Sequence, residues 1–300
     1  MRRSRVITRI YLAGPMSGYE MWNYPTFDTN ARWLRDMGYE VMSPAELSRD
    51  RGFDERTPSH QFSDNDYHES MLRNYAALLQ CDAVALLPGW ESSTGATLER
   101  RLASQVGLTF FRVDASRNYF ERELVIGISG YAQSGKDTLA NLMVEHMGFQ
   151  RQGFADALRQ VLYALNPLVD DGTTARPLVS IIDEMGWNQA KTTYPEVRSL
   201  MQRMGTEGAR EHITQDIWSM TVLELHPHGP RLVIPDCRFL DESDAIHRRN
   251  GYVIRIDRKG VGPANKHLSE NVDTNPDFVI TNDGDPFEML VQVRELLGDV

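Results

Sequence analysis

Two short stretches of this chain bring together residue types suited to chemistry on phosphorylated compounds. The first is Gly130-Tyr-Ala-Gln-Ser134-Gly135-Lys136, a GxxxxGK spacing that follows the apolar run Leu124–Ile128 and precedes a helix-forming segment. Glycines at that spacing let successive backbone N–H groups curl around phosphate oxygens. The helix start adds favourable partial charge, and Lys136 reaches the outer phosphates of a nucleotide. Asp137 stands where such loops commonly carry a Ser or Thr that ligates magnesium, and Thr138 follows it. Asp137 and Thr138 are therefore the Mg2+ candidates, with Asp137 either holding the ion through water or facing the phosphoryl acceptor.

The second stretch is Trp90-Glu-Ser92-Ser93-Thr94-Gly95-Ala-Thr-Leu-Glu99. Hydroxyls and unpaired N–H groups at a helix start make an anion site. Glu99 lies in the second turn beside a seam of Leu98, Leu102 and Val106, which is expected to be buried. A phosphate-sized donor cluster followed by one carboxylate suits cleavage at the sugar carbon of a nucleotide. The carboxylate attacks C1′, or stabilises its oxocarbenium-like transition state, while the phosphate is held. A helix cap with a solvated glutamate is the plainer alternative for the same residues.

Each stretch needs a scaffold, and the chain supplies the start of one twice. Arg9-Ile-Tyr11-Leu-Ala-Gly14-Pro15 and Leu124-Val-Ile-Gly-Ile-Ser-Gly130 both run an apolar strand into a glycine turn. Ligands of open α/β sheets sit beyond such strand ends. In the first half the pattern predicts strand 9–13, a helix over 25–37 with Phe27, Ala31 and Leu34 on one face, and strand 39–42. A helix over 65–80, strand 83–87, a helix over 95–106 and strand 108–113 complete it. In the second half it predicts strand 124–128, helix 136–147, helical segments filling 155–225, and strand 231–235. Helix 241–249, strand 252–256, strand 277–280 and a C-terminal helix follow. Alternating β and α elements imply mainly parallel sheets. The fold class is therefore α/β in two domains, 1–118 and 122–300, with polar Asp114–Glu123 as the linker.

With 300 residues, two domains agree with the length. Apolar residues make up 41% and charged residues 25%, which excludes a disordered or coiled-coil architecture. The 42 acidic residues outnumber the 32 Lys and Arg, for a net charge of -10. That balance argues against nucleic acid as a direct partner and leaves small phosphorylated ligands open. Cys81 and Cys237 read as two buried thiols in a reducing setting. Arg9 interrupts any apolar leader, and no run approaches a membrane span, so a soluble, cytoplasmic protein is expected. Trp22 and Trp90 are candidates to stack on a base. His60 and His68 lack metal-ligand company, and Asp64–Glu69 reads as a solvated helix start.

Gly135-Lys-Asp-Thr138, Phe154-Ala-Asp156-Ala-Leu-Arg159 and Arg198-Ser-Leu-Met-Gln202-Arg-Met-Gly-Thr-Glu-Gly-Ala-Arg210 resemble the phage-type deoxynucleoside monophosphate kinases. Val233-Ile-Pro-Asp236-Cys-Arg238-Phe with Glu242, and His267-Leu-Ser-Glu270, extend the resemblance over roughly 124–283. It implies transfer of the ATP γ-phosphoryl group to a deoxynucleoside monophosphate, with ATP and Mg2+ as cofactors. Lys136 would hold the β- and γ-phosphates. Gly130, Ser134 and Gly135 would form the loop, and Arg198 and Gln202, four apart on a helix, would grip the acceptor. Asp156 and Asp236 would be metal-binding or acceptor-orienting carboxylates, with Arg210, Arg238 and Arg258 as further phosphate ligands. Phosphomevalonate kinases share a similar loop, but the segment from Gln202 to Glu207 favours a nucleotide.

Ile10-Tyr11-Leu-Ala-Gly14-Pro15, Asn23-Tyr-Pro-Thr-Phe27, Ser43-Pro-Ala-Glu46, Cys81-Asp82-Ala-Val84 and Gly95–Glu99 resemble the nucleoside 2-deoxyribosyltransferase superfamily over about 8–113. The resemblance implies Glu99 as nucleophile, Tyr11 as its hydrogen-bonding partner and Asp82 as a helper in catalysis or base contact. It implies a homo-oligomer, a dimer or higher. Six residues before the nucleophile, the nucleoside transferases carry an aspartate that contacts the 5′-hydroxyl; here Ser93 stands there, as in the branches that hydrolyse nucleoside 5′-monophosphates. A carboxylate would repel a 5′-phosphate, whereas a hydroxyl donates to it. The expectation is a bifunctional enzyme: a nucleotide N-glycosidase joined to a kinase, in a host cytoplasm if phage-encoded. A base-exchange transferase, or a non-catalytic nucleotide-sensing or oligomerisation module, is the alternative for the first half.

Overall fold

The computed structural model describes residues 7–57, 63–170, 174–225, 229–262 and 274–298. The chain divides into two compact units. One is Met1–Val125 with His228–Leu232 and Ile246–Gly251; the other is Ile126–Pro227 with Val233–Ala245 and Tyr252–Val300. Both are α/β. No helix among the described residues is long and apolar enough to cross a membrane. His60 and the segment His267–Glu270 lie outside the described residues.

The first unit runs β1 (Arg9–Ala13), α1 (Tyr24–Asp36), β2 (Glu40–Met42), α2 (Pro44–Arg49), α3 (Asp64–Leu78), β3 (Ala83–Leu86), α4 (Thr94–Gln105), β4 (Thr109–Asp114) and β5 (Tyr119–Arg122). Its sheet has the order β2-β1-β3-β4-β5, parallel except for β5. Side chains alternate across a strand, and β1 shows the consequence. Ile10 and Leu12 enter a core with Phe27, Ala31 and Leu34 of α1. Tyr11 and Ala13 enter the opposite core with Leu78 of α3 and Ala96 and Ala103 of α4. The period of two therefore sends Tyr11 to the face that carries α4.

Segment 114–123 is not a linker. Asp114 ends β4, residues 115–117 make one tight turn, and β5 returns antiparallel against β4. Phe120 stacks on Phe111 at 4.6 Å between centroids. Glu123 is buried and accepts from Arg100 at 2.9 Å and Arg112 at 3.0 Å. The charged letters of this stretch suggest solvent, but the buried Arg100 and the half-buried Arg112 satisfy the carboxylate.

The second unit holds β6 (Leu124–Ser129), α5 (Lys136–Met147), β7 (Gln150–Arg151), α6 (Phe154–Leu165), β8 (Leu168–Asp170), β9 (Ala175–Pro177), α7 (Leu178–Thr193) and α8 (Pro195–Gln202). After a π-helical stretch Arg203–Arg210 come α9 (Ile217–Met220), β10 (Arg231–Ile234), α10 (Leu240–Arg248), β11 (Tyr252–Asp257), β12 (Phe278–Thr281) and α11 (Pro286–Leu297). The sheet order is β12-β11-β6-β10-β7. The antiparallel pair β8–β9 interrupts the region expected to be helical throughout. Asn166, left-handed at φ 46°, ends α6, and Pro167 cannot resume it.

Candidate functional site

A cavity of about 780 Å³ opens beyond the carboxyl ends of β1 and β3 in the first unit. Gly14 lines it. A Cβ there would come 2.8 Å from Leu87 Cβ, so only glycine lets these strand ends approach so closely. Ser92, Ser93, Thr94 and Gly95 line the cavity at the start of α4, and Glu99 lines it one turn further in. Ser93 caps the helix, its Oγ accepting from Ala96 N–H at 3.3 Å. Ser92 Oγ donates to the Gly89 carbonyl at 2.9 Å. A Cβ on Gly95 would meet nothing within 4 Å, so this glycine keeps the helix mouth open rather than relieving strain.

Glu99 is 4% exposed. Tyr11 Oη donates to its Oε1 at 2.6 Å. Burial pushes the Glu99 carboxyl up to about 8, and the Tyr11 hydrogen bond opposes that rise. Burial and the adjacent carboxylate hold the Tyr11 phenol well above its ordinary range. Tyr75 of α3 is also raised, first by burial and then by Glu99, a neighbour that no sequence signal marks.

The seam expected to flank Glu99 holds only at Leu102, which is half-buried against the core. Leu98 and Val106 are 40% and 47% exposed, whereas Ala96, Glu99, Arg100 and Ala103 face inward. Small alanines let α4 lie close to the sheet, which is what brings Glu99 within reach of Tyr11. Asp82 is likewise elsewhere. It precedes β3, at the amino end of the sheet, and accepts from Thr8 N, Thr8 Oγ1 and Arg9 N at 2.9–3.1 Å. A strand spans about 3.3 Å per residue, so Asp82 ties strand starts together and does not line the cavity. Trp90 is buried beneath Arg100, whose guanidinium sits 4.8 Å from its ring, and is not a base-stacking surface; Trp22 does line the cavity.

In the second unit, Gly130 (φ 137°) and Gly135 (φ 107°) adopt angles closed to other residues. A Cβ on Gly130 would meet the Ile256 carbonyl oxygen at 2.7 Å, and one on Gly135 would meet Asn282 Nδ2 at 2.4 Å. Lys136 Nζ donates to the carbonyls of Gly130 and Tyr131 at 2.7 and 2.6 Å, so its ammonium lies inside the curl of the loop. Asn282 Nδ2 donates to the Ser134 carbonyl at 2.7 Å, and Arg258 Nη1 to that of Gln133 at 3.0 Å. Ser134 is buried. Asn282, 148 positions away, was not legible as part of the loop.

Asp137 and Thr138 are exposed on the first turn of α5, and Asp137 pairs with Arg151 of β7. Among the described residues no three His, Cys, Asp or Glu side chains are grouped to hold a metal by themselves. Asp236 accepts from Phe154 and Ala155 N–H at 2.8 and 3.0 Å, and Asp156 accepts from Gly153 N–H and Arg159. These two carboxylates organise the start of α6, and burial raises the Asp236 carboxyl. Lys191 of α7, unmarked in the sequence, is lowered first by burial and then by Arg159, Arg238 and Arg198, with Asp137 opposing. Cations from α6, α7, α8 and the turn after β10 thus gather near the start of α5. Gln202 ends α8, the helix that carries Arg198.

Arg210 is not a phosphate ligand. It is buried, pairs with Asp241 and, at 2.6 Å, with Glu242, and lies 4.4 Å from the Phe239 ring centroid. Its donors are engaged in fastening the π-helical stretch to the first turn of α10.

Comparison with known proteins assigns the two parts differently. Residues 8–111 match the model of a domain of unknown function, DUF4406. Residues 169–292 match the model described as "Deoxynucleotide monophosphate kinase". A protein of Acanthamoeba polyphaga mimivirus, described as "Putative deoxynucleotide monophosphate kinase", is 27% identical over 161 residues, covering 49% of this chain and 80% of the relative. Shikimate kinase from Bacteroides thetaiotaomicron aligns with 58% of this chain and 98% of its own at 15% identity, with a TM-score of 0.33. The first part of the chain is thus similar to DUF4406 and the second part to the deoxynucleotide monophosphate kinases. The deoxyribosyltransferase resemblance of the first part has no counterpart among these matches.

Proposed function

We propose that the second unit transfers the γ-phosphoryl group of ATP to a deoxynucleoside monophosphate. The observation that carries this reading is the glycine loop with the Lys136 ammonium inside it, beside a gathering of Arg159, Lys191, Arg198 and Arg238. Phosphoryl transfer needs positioning and charge neutralisation more than covalent chemistry. The loop amides and Lys136 hold the β- and γ-phosphates, and Arg198, Gln202 and Arg238 hold the acceptor. Asp156 and Asp236 keep the neighbouring backbone in place. The glycine cradle fits ATP, since Gly130 and Gly135 let the loop take the positive-φ curl that turns its amides toward phosphates. Mg2+ shared with phosphates needs few protein oxygens, and Asp137 and Thr138 on α5 would supply them; the ion would add charge neutralisation. The kinase family match and the mimivirus relative support this assignment.

For the first unit the reading is hydrolysis of the N-glycosidic bond of a nucleoside 5′-monophosphate. Its support is the buried Glu99 carboxyl, hydrogen-bonded by Tyr11 at the wall of a cavity whose mouth is a hydroxyl-lined helix start. A capping hydroxyl that accepts from Ala96 N–H keeps its own proton to donate, so Ser93 suits a phosphate where a carboxylate would not. We divide the roles as 1–118 and 122–300, with β5 added to the first part. Incubating the purified chain with each deoxynucleoside monophosphate, with and without Mg-ATP, tests both halves by separating bases, monophosphates and diphosphates. No ADP with any acceptor sinks the kinase reading; no free base sinks the glycosidase reading.

A further inference from the structure

The cavity of the first unit has a second wall, built of aromatic rings. Met21, Trp22 and Asn23 take positive φ in succession, at 49°, 53° and 61°. Residues with a side chain visit this region singly, and such conformations persist where the surroundings fix them. Two hydrogen bonds do so. Asn23 Nδ2 donates to the Pro15 carbonyl at 2.7 Å, and Trp22 Nε1 donates to the Thr57 carbonyl at 2.8 Å. Phe53 meets Trp22 edge-on at 5.5 Å and tilts against Tyr24 at 6.2 Å. Behind Tyr24 lies Arg49, 4.7 Å from the ring centroid and held by Asp28 and Glu55. Trp22, Tyr24 and Phe53 all line the cavity that Glu99 and Ser93 line.

We propose that this wall seats the planar base of the ligand and that Trp22 reads the base by its size. The proposal rests on the nucleotide reading of the first unit. With its indole N–H donated to Thr57, Trp22 meets the ligand through its π face. Every base has such a face, so stacking tolerates all four bases and strengthens with ring area. Purine monophosphates therefore bind more tightly than pyrimidine ones. The strained turn is the device that holds the indole at the angle stacking needs.

The first test uses light-activated 8-azido-2′-deoxyadenosine 5′-monophosphate on the whole chain, followed by proteolysis and mass spectrometry. Label on the peptides carrying Trp22 or Phe53, competed better by a purine than by a pyrimidine monophosphate, supports the proposal. Label elsewhere in the first unit overturns it alone. Label confined to the second unit overturns both it and the nucleotide reading of the first. The second test compares Trp22→Leu with Trp22→Phe. Leucine should raise KM for base release roughly ten-fold, phenylalanine should recover part of the loss, and inhibition by 2-deoxyribose 5-phosphate should be unchanged in both. Equal weakening of the nucleotide and the base-free sugar phosphate would assign Trp22 to packing only.

Discussion

Tyr11 and Glu99, 88 positions apart in the chain, share a 2.6 Å hydrogen bond in which the phenol donates to the carboxyl. The sheet's alternation turns Tyr11 toward α4, and the alanines of α4 bring Glu99 down to meet it. The bond favours the ionised carboxylate against burial. As the nucleophile must be ionised, kcat/KM for base release should rise ten-fold per pH unit up to about 8 and then level. Tyr11→Phe should move that limb to higher pH. An unmoved limb would mean that the phenol does not tune Glu99.

The same carboxyl makes folding stability depend on pH. Its ordinary value is 4.5 and its folded value about 8, so between them the folded chain holds a proton that the unfolded chain has released. The contribution is complete below 4.5 and is lost as pH rises toward 8. Glu99→Gln lacks this loss. Urea denaturation should show the variant gaining on the parent by about 1.4 kcal/mol per pH unit between pH 5 and 8. A constant difference across that range would contradict the buried titration.

Ser93 has two duties that one substitution separates. Aspartate caps a helix as well as serine does, so Ser93→Asp should leave the melting temperature of the chain nearly unchanged. Its charge should raise KM for a nucleoside 5′-monophosphate by at least about ten-fold, the equivalent of about 1.4 kcal/mol, while sparing the nucleoside. Parallel losses on both substrates would remove the 5′-phosphate from this mouth.

In the second unit, Lys136→Met should abolish ADP formation and leave base release intact. Asn282→Ala is the subtler change. It removes the hydrogen bond to the Ser134 carbonyl and the amide packed against Gly135. KM for ATP should rise several-fold with KM for the acceptor unchanged, because the loop loses its outer support. A change confined to the acceptor would place Asn282 elsewhere in the reaction.

Arg210→Met should fail differently, by leaving Glu242 and Asp241 without their cation. Removing one partner of a buried pair costs about 3–5 kcal/mol, so chemical denaturation should report a large loss of stability. Intact stability with a raised acceptor KM would restore Arg210 as a substrate ligand.

What could be read from the letters follows from how far each signal travels. β1 and α5 have the bounds that periodicity predicts, Arg9–Ala13 and Lys136–Met147, because glycine turns punctuate both. The fold class followed from such local alternation. Glu99 was legible through its helix-start motif, but its burial was not: leucine and valine advertise a hydrophobic seam, whereas alanines make the contact. Asp82 sits next to an apolar strand in the chain, and only the sheet shows which end of that strand it occupies. Lys191 and Asn282 carry no local mark, since their meaning comes from elements brought beside the glycine loop.

The hairpin return of β5 has a practical consequence for anyone dividing this protein. Without β5, the largely buried strand β4 would become the sheet's edge and expose its own row of N–H and C=O groups, an invitation to strand-on-strand aggregation. A fragment cut after residue 118 discards β5, uncovers Phe111 and strips Arg100 and Arg112 of Glu123. A cut beyond Glu123 keeps all three, so the packing of β4 turns on five residues that look like spacer.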